Sequence, residues 1–231
     1  MNIAIIPARA GSKRIIHKNI KDFCGRPMIE FAISAALKSD LFDHVIVSTD
    51  SNEIAEIARK CGAEIPFIRP INLADDFTST HSVIIHAIEE CHNLGLNFEN
   101  ICCIYPSVPF IKIDDLHKSF DYMNKKNANY CFPVTEYPSS IFRALKLNND
   151  GSMESFNPEF GSTRTQDLDI AYHDAGQFYW GKKEAWLTIP DIHNGGLGYI
   201  IPNWRVVDID TIDDWNKAEI LYDGAKNKLL L

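Results

Sequence analysis

The sequence lacks several features that mark common classes of protein. Its six cysteines form no C-x-x-C pair, so we expect reduced thiols that serve as small hydrophobic residues. No stretch approaches the roughly 18 consecutive apolar residues of a membrane span. Lysine and arginine total 23 against 31 acidic residues, a formal net charge of -8, which disfavours bulk binding to nucleic acid or to a membrane surface.

Two further absences concern targeting and nucleotide binding. Neither a charged n-region nor a long apolar h-region precedes the first predicted strand, so we expect a cytoplasmic protein without structural disulfides. The loop after that strand has one glycine, Gly11, which matches neither the P-loop nor the dinucleotide-binding glycine pattern. Phosphates bound there would have to be held largely by side chains.

What the sequence does contain is a concentration of positive charge after its first apolar run. Residues 3–6 are typical of a buried parallel strand, and Pro7 ends it. From Arg9 to Arg26 there are six basic residues and one acid, Asp22. Ligands of open α/β sheets bind beyond the carboxyl ends of the strands. The layout predicts a small, highly anionic ligand, although a solvated basic loop would share the composition.

The apolar spacing of the first 134 residues alternates between strands and helices. The predicted strands are 3–6, 44–50, 65–68, 100–105 and 130–134, and helical spacing at 28–37, 54–61, 84–91 and 112–126 separates them. Because parallel neighbours need a crossover, this predicts an α/β fold with a Rossmann-like, doubly wound, mainly parallel sheet. Gly62 is expected in the left-handed conformation at a helix end.

The second half of the chain is less regular, but we predict a single domain over residues 1–231. Proline, glycine and asparagine interrupt residues 136–168, which we interpret as an inserted extension with a weak strand at 144–147. Strand patterns return at 177–180, 197–201 and 205–209, and residues 213–221 have a helical pattern.

Two carboxylates near the carboxyl end form a candidate metal site. In an extended segment, residues i and i+2 point to one face, so Asp208 and Asp210 can present their side chains together. Such a pair repels unless a cation lies between its members, and Mg²⁺ is typically held by one or two carboxylates plus substrate phosphates. Alternatively, Thr211 and Asp214 form a helix-capping box and the acids only favour the helix terminus. Both interpretations can hold together.

Two polar segments are candidates for ligand contacts. Ser79 and Thr80 precede a predicted helix, where their hydroxyls could cap the helix, the expected role for Ser79, or hydrogen-bond a nucleobase. A polar and aromatic run spans residues 164–179. Such a run is costly in a core and natural on the wall of a sugar pocket. His173 alone is more often structural than catalytic.

These motifs together resemble the CMP-sialic acid synthetases, a family of sugar-acid cytidylyltransferases. The resemblance rests on I-P-A-R-A-G-S-K-R-I-I-H-K-N-I at 6–20, V-S-T-D at 47–50, R-P at 69–70 and D-I-D-T at 208–211. It implies transfer of CMP from CTP to the anomeric hydroxyl of a nonulosonic acid, with release of pyrophosphate and with Mg²⁺ as cofactor.

The resemblance also implies roles for individual residues. The CTP-binding residues would be Pro7, Ala8, Arg9, Gly11, Ser12, Lys13, Asn19, Ser79 and Thr80. The catalytic residues would be Arg9, Lys13, Lys18 and Asp210, with Mg²⁺ held by Asp208 and Asp210. The sugar acid would contact Tyr105, Arg164, Gln166, Tyr172, His173, Gln177 and Tyr179. The proton of the attacking hydroxyl would pass to Asp210 or to a metal-bound water.

Departures from the family pattern concern the sugar. Residues 105–111 replace the usual Q-P-T-S-P-L-R, and residues 173–176 replace an Arg followed by P-N-G. The run at 162–181 is similar to the subgroup that activates pseudaminic acid. The alternatives within the family are activation of N-acetylneuraminate or of legionaminic acid. An alternative from another class is a D-x-D glycosyltransferase, which would leave unexplained the cationic loop, residues 9–18 with the four cations Arg9, Lys13, Arg14 and Lys18.

Two further expectations follow from the resemblance. Family members are commonly homodimers whose inserted segment reaches the neighbour's sugar site, so we expect this of residues 136–168. Ala10 replaces a glycine that is common in the loop. Because an alanine at positive φ would be strained, we predict a negative φ for Ala10.

Overall fold

A computed structural model describes residues 1–230 of the protein. Within that range the strands, in chain order, are β1 (Asn2–Pro7), β2 (Asp22–Phe23), β3 (Arg26–Pro27), β4 (His44–Ser48), β5 (Asn100–Ile104), β6 (Tyr130–Glu136), β7 (Leu145–Leu147), β8 (Met153–Ser155), β9 (Tyr172–Asp174), β10 (Phe178–Lys182) and β11 (Leu197–Ile200). The α-helices are α1 (Met28–Lys38), α2 (Asn52–Lys60), α3 (Thr80–Asn93), α4 (Ile113–Lys125), α5 (Lys183–Thr188) and α6 (Ile212–Asn227).

The central sheet has the strand order β11-β6-β10-β5-β1-β4, and β9 pairs with β6. β1 is parallel to β4 and to β5, and β11 is parallel to β6. β10 is antiparallel to both β5 and β6, as β9 is to β6. Since β4, β1, β5, β6 and β11 run in one direction, the predicted α/β fold with a mainly parallel sheet is confirmed. The reversed strand β10 was not predicted.

Apolar side chains of the sheet alternate between two core clusters, one on each face. Ala4 and Ile6 of β1 pack in a cluster with residues of α1, α2 and α4. Ile3 and Ile5 point to the other face, in a cluster with residues of α3 and α5. β1 is therefore covered on both faces, which explains its continuous apolar sequence.

A third cluster holds α6 against the segment that follows the cationic loop. Trp215 of α6 contacts Phe23, with ring centroids 5.3 Å apart in an edge-to-face arrangement. Ile15, within the cationic loop, and Ile209 belong to the same cluster. This packing brings the carboxylate segment that precedes α6 next to the cationic loop near the start of the chain.

Two of the predicted strands are wrong. Residues 65–68 form no strand, and only an isolated bridge joins Ile46 to Glu64. Pro66 lacks an N–H, so the ladder cannot continue through it. Residues 205–209 are also not a strand, because Asn203–Arg205 forms a 3-10 turn and residues 206–210 pair with no strand of the described chain.

The predicted end of α2 is confirmed. Gly62 has φ of +98°, and its N–H donates to the Arg59 carbonyl at 3.0 Å while that of Ala63 donates to Ala58 at 3.0 Å. This pattern satisfies carbonyls that the last helical turn leaves free, and glycine adopts the required conformation at low cost.

The predicted extension, residues 136–168, contains the hairpin of β7 and β8 and three short 3-10 turns. Large apolar side chains on it face solvent, including Leu147 and Phe156. None of the helices within residues 1–230 is long and apolar enough to cross a membrane. The six cysteines are free thiols.

Many of the strand ends meet at one edge of the sheet. The carboxyl ends of β1, β4, β5, β6 and β11 lie there because these strands are parallel, and the amino end of β10 lies there because β10 is reversed. Backbone hydrogen bonds join the ends, from Ala8 to Ser48 at 2.9 Å and from Tyr105 to Gln177 at 2.9 Å. Segments distant in sequence therefore surround one space.

Candidate active site

An open cavity of about 940 Å³ lies at this edge of the sheet. The residues on its wall that the sequence predicted are Pro7, Arg9, Ser12, Lys13, Lys18, Asn19, Thr80, Tyr105, His173, Asp208 and Asp210. They come from the loop after β1, the start of α3, the end of β5, the segment before β10 and the segment before α6. The cavity thus joins the cationic loop to the two carboxylates.

Asp76 lies between two cations of the loop. Arg9 Nη1 is 2.7 Å from Asp76 Oδ1, and Lys13 Nζ is 2.5 Å from Asp76 Oδ2. Hydrogen bonds from Lys13 and Arg9 lower the pKa of the Asp76 carboxyl below its usual value. Arg9 also donates to the backbone oxygen of Asp75 at 2.7 Å. The free protein thus places a carboxylate against cations that could instead bind phosphate oxygens.

Asp210 is held by the other half of the same loop. Arg14 Nη2 is 2.7 Å from Asp210 Oδ2, and Lys18 Nζ is 3.4 Å from Asp210 Oδ1. Lys18 also donates to the Ile209 carbonyl at 2.8 Å. In these ion pairs two acids face four cations of the loop, so the loop has more positive charge than the two acids neutralise.

Asp208 differs from Asp210 in its electrostatic surroundings. Within the described chain, no basic side chain forms an ion pair with Asp208. Burial, and then the charge of Asp210, raise the pKa of the Asp208 carboxyl. A carboxylate that is partly desolvated and lies beside a second carboxylate is stabilised by a cation. This oxygen donor set fits Mg²⁺, which uses one or two carboxylates and completes its shell with phosphate and water.

The alternative capping role belongs to other residues of the same segment. The Thr211 side chain accepts from the backbone N–H of Asp214, and Asp214 accepts from that of Thr211 at 2.8 Å, which is a complete capping box. The Asp210 N–H also donates to Asp214, at 3.2 Å. The predicted cap is confirmed, and it leaves the side chains of Asp208 and Asp210 on the cavity wall.

Arg69 lines the cavity and was assigned no role from the sequence, although it belongs to the R-P motif. Its side chain is only 3% exposed, and the nearest acid is Asp50, 3.8 Å away. The guanidinium Nε and Nη2 atoms find no hydrogen-bond partner among residues 1–230. Burial lowers the pKa of Arg69. Unpaired donors on a buried cation favour a ligand that brings acceptor atoms to them.

The wall that carries Tyr105, His173 and Asp174 is built from neutral and acidic groups. Asp174 Oδ2 accepts hydrogen bonds from the Tyr179 hydroxyl at 2.9 Å and from His193 Nε2 at 2.7 Å, and its Oδ1 accepts from the Gly176 N–H at 2.7 Å. The Tyr105 hydroxyl lies 3.2 Å from Thr80 Oγ1. Burial is the main reason that the pKa values of both tyrosines are raised. These hydroxyls are therefore neutral hydrogen-bonding groups.

Several predicted site residues do not line the cavity. They are Ala8, Gly11, Ser79, Arg164, Gln166, Tyr172, Gln177 and Tyr179. Ser79 caps α3 by accepting from the Ser82 N–H at 3.1 Å, which was its expected structural role. Gln177 is buried and donates to the Arg205 carbonyl at 2.8 Å. Tyr179 is buried behind Asp174, and Arg164 and Gln166 belong to the extension.

The backbone of the loop needs no glycine at position 10. The non-glycine residues of the described chain with positive φ are His17, Cys24, Asp40, Asn127 and Leu229, so Ala10 has the predicted negative φ. The Ala10 N–H donates to Asp50 Oδ1 at 3.0 Å. The loop is thus tied to the end of β4.

Comparison with known proteins agrees with this arrangement. The family profile described as "Cytidylyltransferase" matches residues 3–184. The chain belongs to the cytidylyltransferase family. It is 41% identical over 222 residues to a "Pseudaminic acid cytidylyltransferase" of Campylobacter jejuni, with 96% of each chain covered. It is 34% identical over 238 residues to a "CMP-N,N'-diacetyllegionaminic acid synthase" of Legionella pneumophila, with 99% of each covered.

One solved structure with low sequence identity shares the fold. The structure of "CMP:2-keto-3-deoxy-manno-octonic acid synthetase complexed with CTP" superposes with a TM-score of 0.71, at 16% sequence identity. The superposition covers 96% of this chain and 98% of the other. At this identity the likeness concerns the architecture of the sheet and its helices.

Proposed function

We propose that this cytidylyltransferase transfers CMP from CTP to the anomeric hydroxyl of a nonulosonic acid, pseudaminic acid, and releases pyrophosphate. The observation that carries the proposal is the cavity in which four loop cations face Asp208 and Asp210. The identity to a protein named as a pseudaminic acid cytidylyltransferase supports the choice of sugar.

The loop cations would bind the triphosphate of CTP. Arg9 can offer two parallel donors to phosphate oxygens, and Lys13 and Lys18 act as movable charges. Phosphate oxygens would replace Asp76 at Arg9 and Lys13. We assign the cytosine and ribose to the part of the cavity wall that carries Pro7, Asn19, Thr80 and Arg69. The unpaired donors of Arg69 support this assignment, because a cytosine carbonyl or ribose oxygen would satisfy them.

Asp208 and Asp210 would hold Mg²⁺. When bound, the ion neutralises negative charge that builds up on the phosphates during transfer. The chain's own contribution is mainly positioning and electrostatic stabilisation by Arg9, Lys13 and Lys18. The proton of the attacking hydroxyl would pass to Asp210, which lies on the cavity wall, or to a water bound to the ion.

The sugar acid would occupy the side of the cavity near Tyr105 and His173. Hydroxyl and carboxylate groups there suit a ligand rich in hydroxyl and amide groups. The alternative within the family is a related sialic or legionaminic acid, which the identity to the Legionella protein supports. A D-x-D glycosyltransferase is disfavoured, because it would not need the cationic loop.

We propose that the enzyme is a cytoplasmic homodimer whose extension, residues 136–168, reaches the partner's sugar site. The exposed apolar side chains of the hairpin, such as Leu147 and Phe156, would be buried on association. Arg164 and Gln166 lie on this extension, away from their own cavity. A monomeric mass in light scattering at micromolar concentration would contradict the dimer.

One assay tests the reaction and the choice of sugar. Pyrophosphate release from CTP is measured with Mg²⁺ and, separately, pseudaminic acid, N-acetylneuraminate or Kdo. We expect the highest kcat/KM with pseudaminic acid. Release with none of the three sugars contradicts the proposed reaction, and release only with N-acetylneuraminate contradicts the proposed subgroup.

A further inference from the structure

The segment that carries Asp208 and Asp210 is held in an unusual way for a site beside a sheet. Residues 206–210 pair with no strand of the described chain, so no ladder determines where Asp208 lies. The segment is instead held by Lys18, which donates to the Ile209 carbonyl at 2.8 Å, and by anchors at its two ends. At the far end, Ile209 is buried and the capping box holds the start of α6.

The near end is anchored through Arg205, three residues before Asp208. Its guanidinium pairs with the carboxylate of Asp115, in the first turn of α4. Its backbone carbonyl accepts from Gln177 Nε2 at 2.8 Å. Arg205, Asp115 and Gln177 are each buried, with 4–6% of their surface exposed. A buried ion pair and a buried amide thus converge on one residue of an otherwise unpaired segment.

Gln177 also connects this anchor to the opposite wall of the cavity. Its backbone oxygen accepts from the Tyr105 N–H at 2.9 Å, and it directly follows Ala175 and Gly176, which line the cavity. A side chain that bridges two walls keeps their separation constant.

We infer that Gln177 and the buried Asp115–Arg205 pair are positioning residues, which set the place of Asp208 and thereby the affinity of the site for a divalent cation. This rests on the proposed metal-binding role of Asp208. Residues that orient metal ligands without touching the ion commonly change metal affinity by 10- to 100-fold when altered.

The test is a titration of the full-length protein with Mn²⁺ in the presence of CTP and without a sugar acid. Electron paramagnetic resonance measures free Mn²⁺, and a sample without protein corrects for the Mn²⁺ that CTP binds by itself. We expect Gln177→Leu to raise the dissociation constant about tenfold. A double variant, Asp115→Leu with Arg205→Met, should do the same, and replacing both charges avoids leaving one buried and unpaired. If the double variant fails to fold, Gln177→Leu alone decides.

A matched control separates positioning from general loss of packing. Tyr130→Phe also removes a buried donor to a backbone carbonyl, that of Ile189 at 2.9 Å, but Tyr130 does not line the cavity. We expect its Mn²⁺ affinity to equal that of the wild type. Thermal unfolding is followed for each variant.

The outcomes distinguish this inference from the proposed metal site. If Asp208→Asn weakens Mn²⁺ binding and Gln177→Leu does not, the positioning role is wrong and the metal site stands. If Gln177→Leu changes only KM for the sugar acid, Gln177 contacts the acceptor instead. If the wild type binds no Mn²⁺, or Asp208→Asn binds it equally well, the metal site and this inference both fail.

Discussion

The two sides of the cavity are built by different interactions. On the nucleotide side, exposed cations pair with acids through contacts such as that of Lys13, whose side chain is 80% exposed, with Asp76. On the proposed acceptor side, Asp174, whose side chain is 26% exposed, accepts hydrogen bonds from the buried Tyr179 and from the exposed His193. Exposed ion pairs contribute little net stability, so a phosphate can replace the acid at small cost. The network around Asp174 rearranges only with loss of hydrogen bonds, one of them from a buried donor.

This contrast indicates how each side recognises its ligand. On the proposed nucleotide side, phosphates would replace the acids that now pair with the cations, so specificity there would rest on charge and on the buried Arg69. On the proposed acceptor side, the hydrogen bonds of Asp174 are already made, so specificity there would rest on shape and on the direction of the hydroxyls. Substitutions on the two sides should therefore affect different kinetic constants.

The largest effect is expected where both sides meet, at Asp208. Asp208→Asn should lower metal-dependent turnover about 1000-fold, because a bound ion contributes several kcal/mol of charge stabilisation in the transition state. Thermal unfolding should be unchanged. Asp213→Asn, at an exposed position in the first turn of α6, is the matched control and should retain activity. Undiminished activity of Asp208→Asn would assign this aspartate to the structure of the segment.

The second-largest effect is expected for a substitution of Arg9, which should impair the use of CTP and leave the sugar site unchanged. Arg9→Ala should reduce kcat/KM for CTP about 100-fold, because a charged donor to the phosphates is lost. Arg9→Lys keeps the charge without the paired donors, so an intermediate loss is expected. Pyrophosphate release at varied CTP measures both. A loss below about threefold for Arg9→Ala would mean that the loop does not bind the triphosphate.

A smaller effect should be confined to the acceptor side. Asp174→Asn should raise KM for the sugar acid about tenfold, because the amide cannot accept all the hydrogen bonds that Tyr179, His193 and Gly176 donate. KM for CTP should stay within twofold. Asp114→Asn, an exposed carboxylate on α4, provides the control. Equal changes in both KM values would contradict the division of the cavity into two sides.

The smallest effect is expected for a substitution of Asp76, which should strengthen CTP binding. Asp76→Asn should tighten CTP binding about threefold, because it removes an anion that competes for Arg9 and Lys13. The lowered pKa of Asp76 means that this competition persists at neutral pH and is lost only when the pH falls through that lowered pKa. Asp75→Asn is the control, because it also removes one negative charge, but Asp75 forms no ion pair among residues 1–230. Equal CTP affinity in Asp76→Asn and wild type, by calorimetry, would contradict the competition.

Several features of the fold and site were predictable from local sequence. The apolar run of β1, the helical spacing of α1 to α4, the position of Gly62 and the capping box of α6 all depend on neighbouring residues. The cations and the paired carboxylates were recognisable for the same reason, and their roles toward phosphate and metal are still proposals.

Other features depended on contacts between distant residues. The pattern at 205–209 resembles a strand, but a strand exists only with a partner, and none lies beside it. Alternation of side chains is the same in parallel and antiparallel strands, so the reversal of β10 was not visible. Arg69 looked like an ordinary charged residue until its burial left two donors unpaired.

The sequence by itself determined which chemical groups the protein carries and which local elements present them, because helix, strand and cap patterns act over a few residues. Only the tertiary structure decided that residues near 9, 76, 174 and 208 surround one cavity. The physical reason is the sheet: parallel strands end at one edge, and the reversed β10 starts there. The same packing buries Gln177. The sequence predicted this residue as a sugar contact, but its side chain instead donates a hydrogen bond to the Arg205 carbonyl, next to the carboxylate segment.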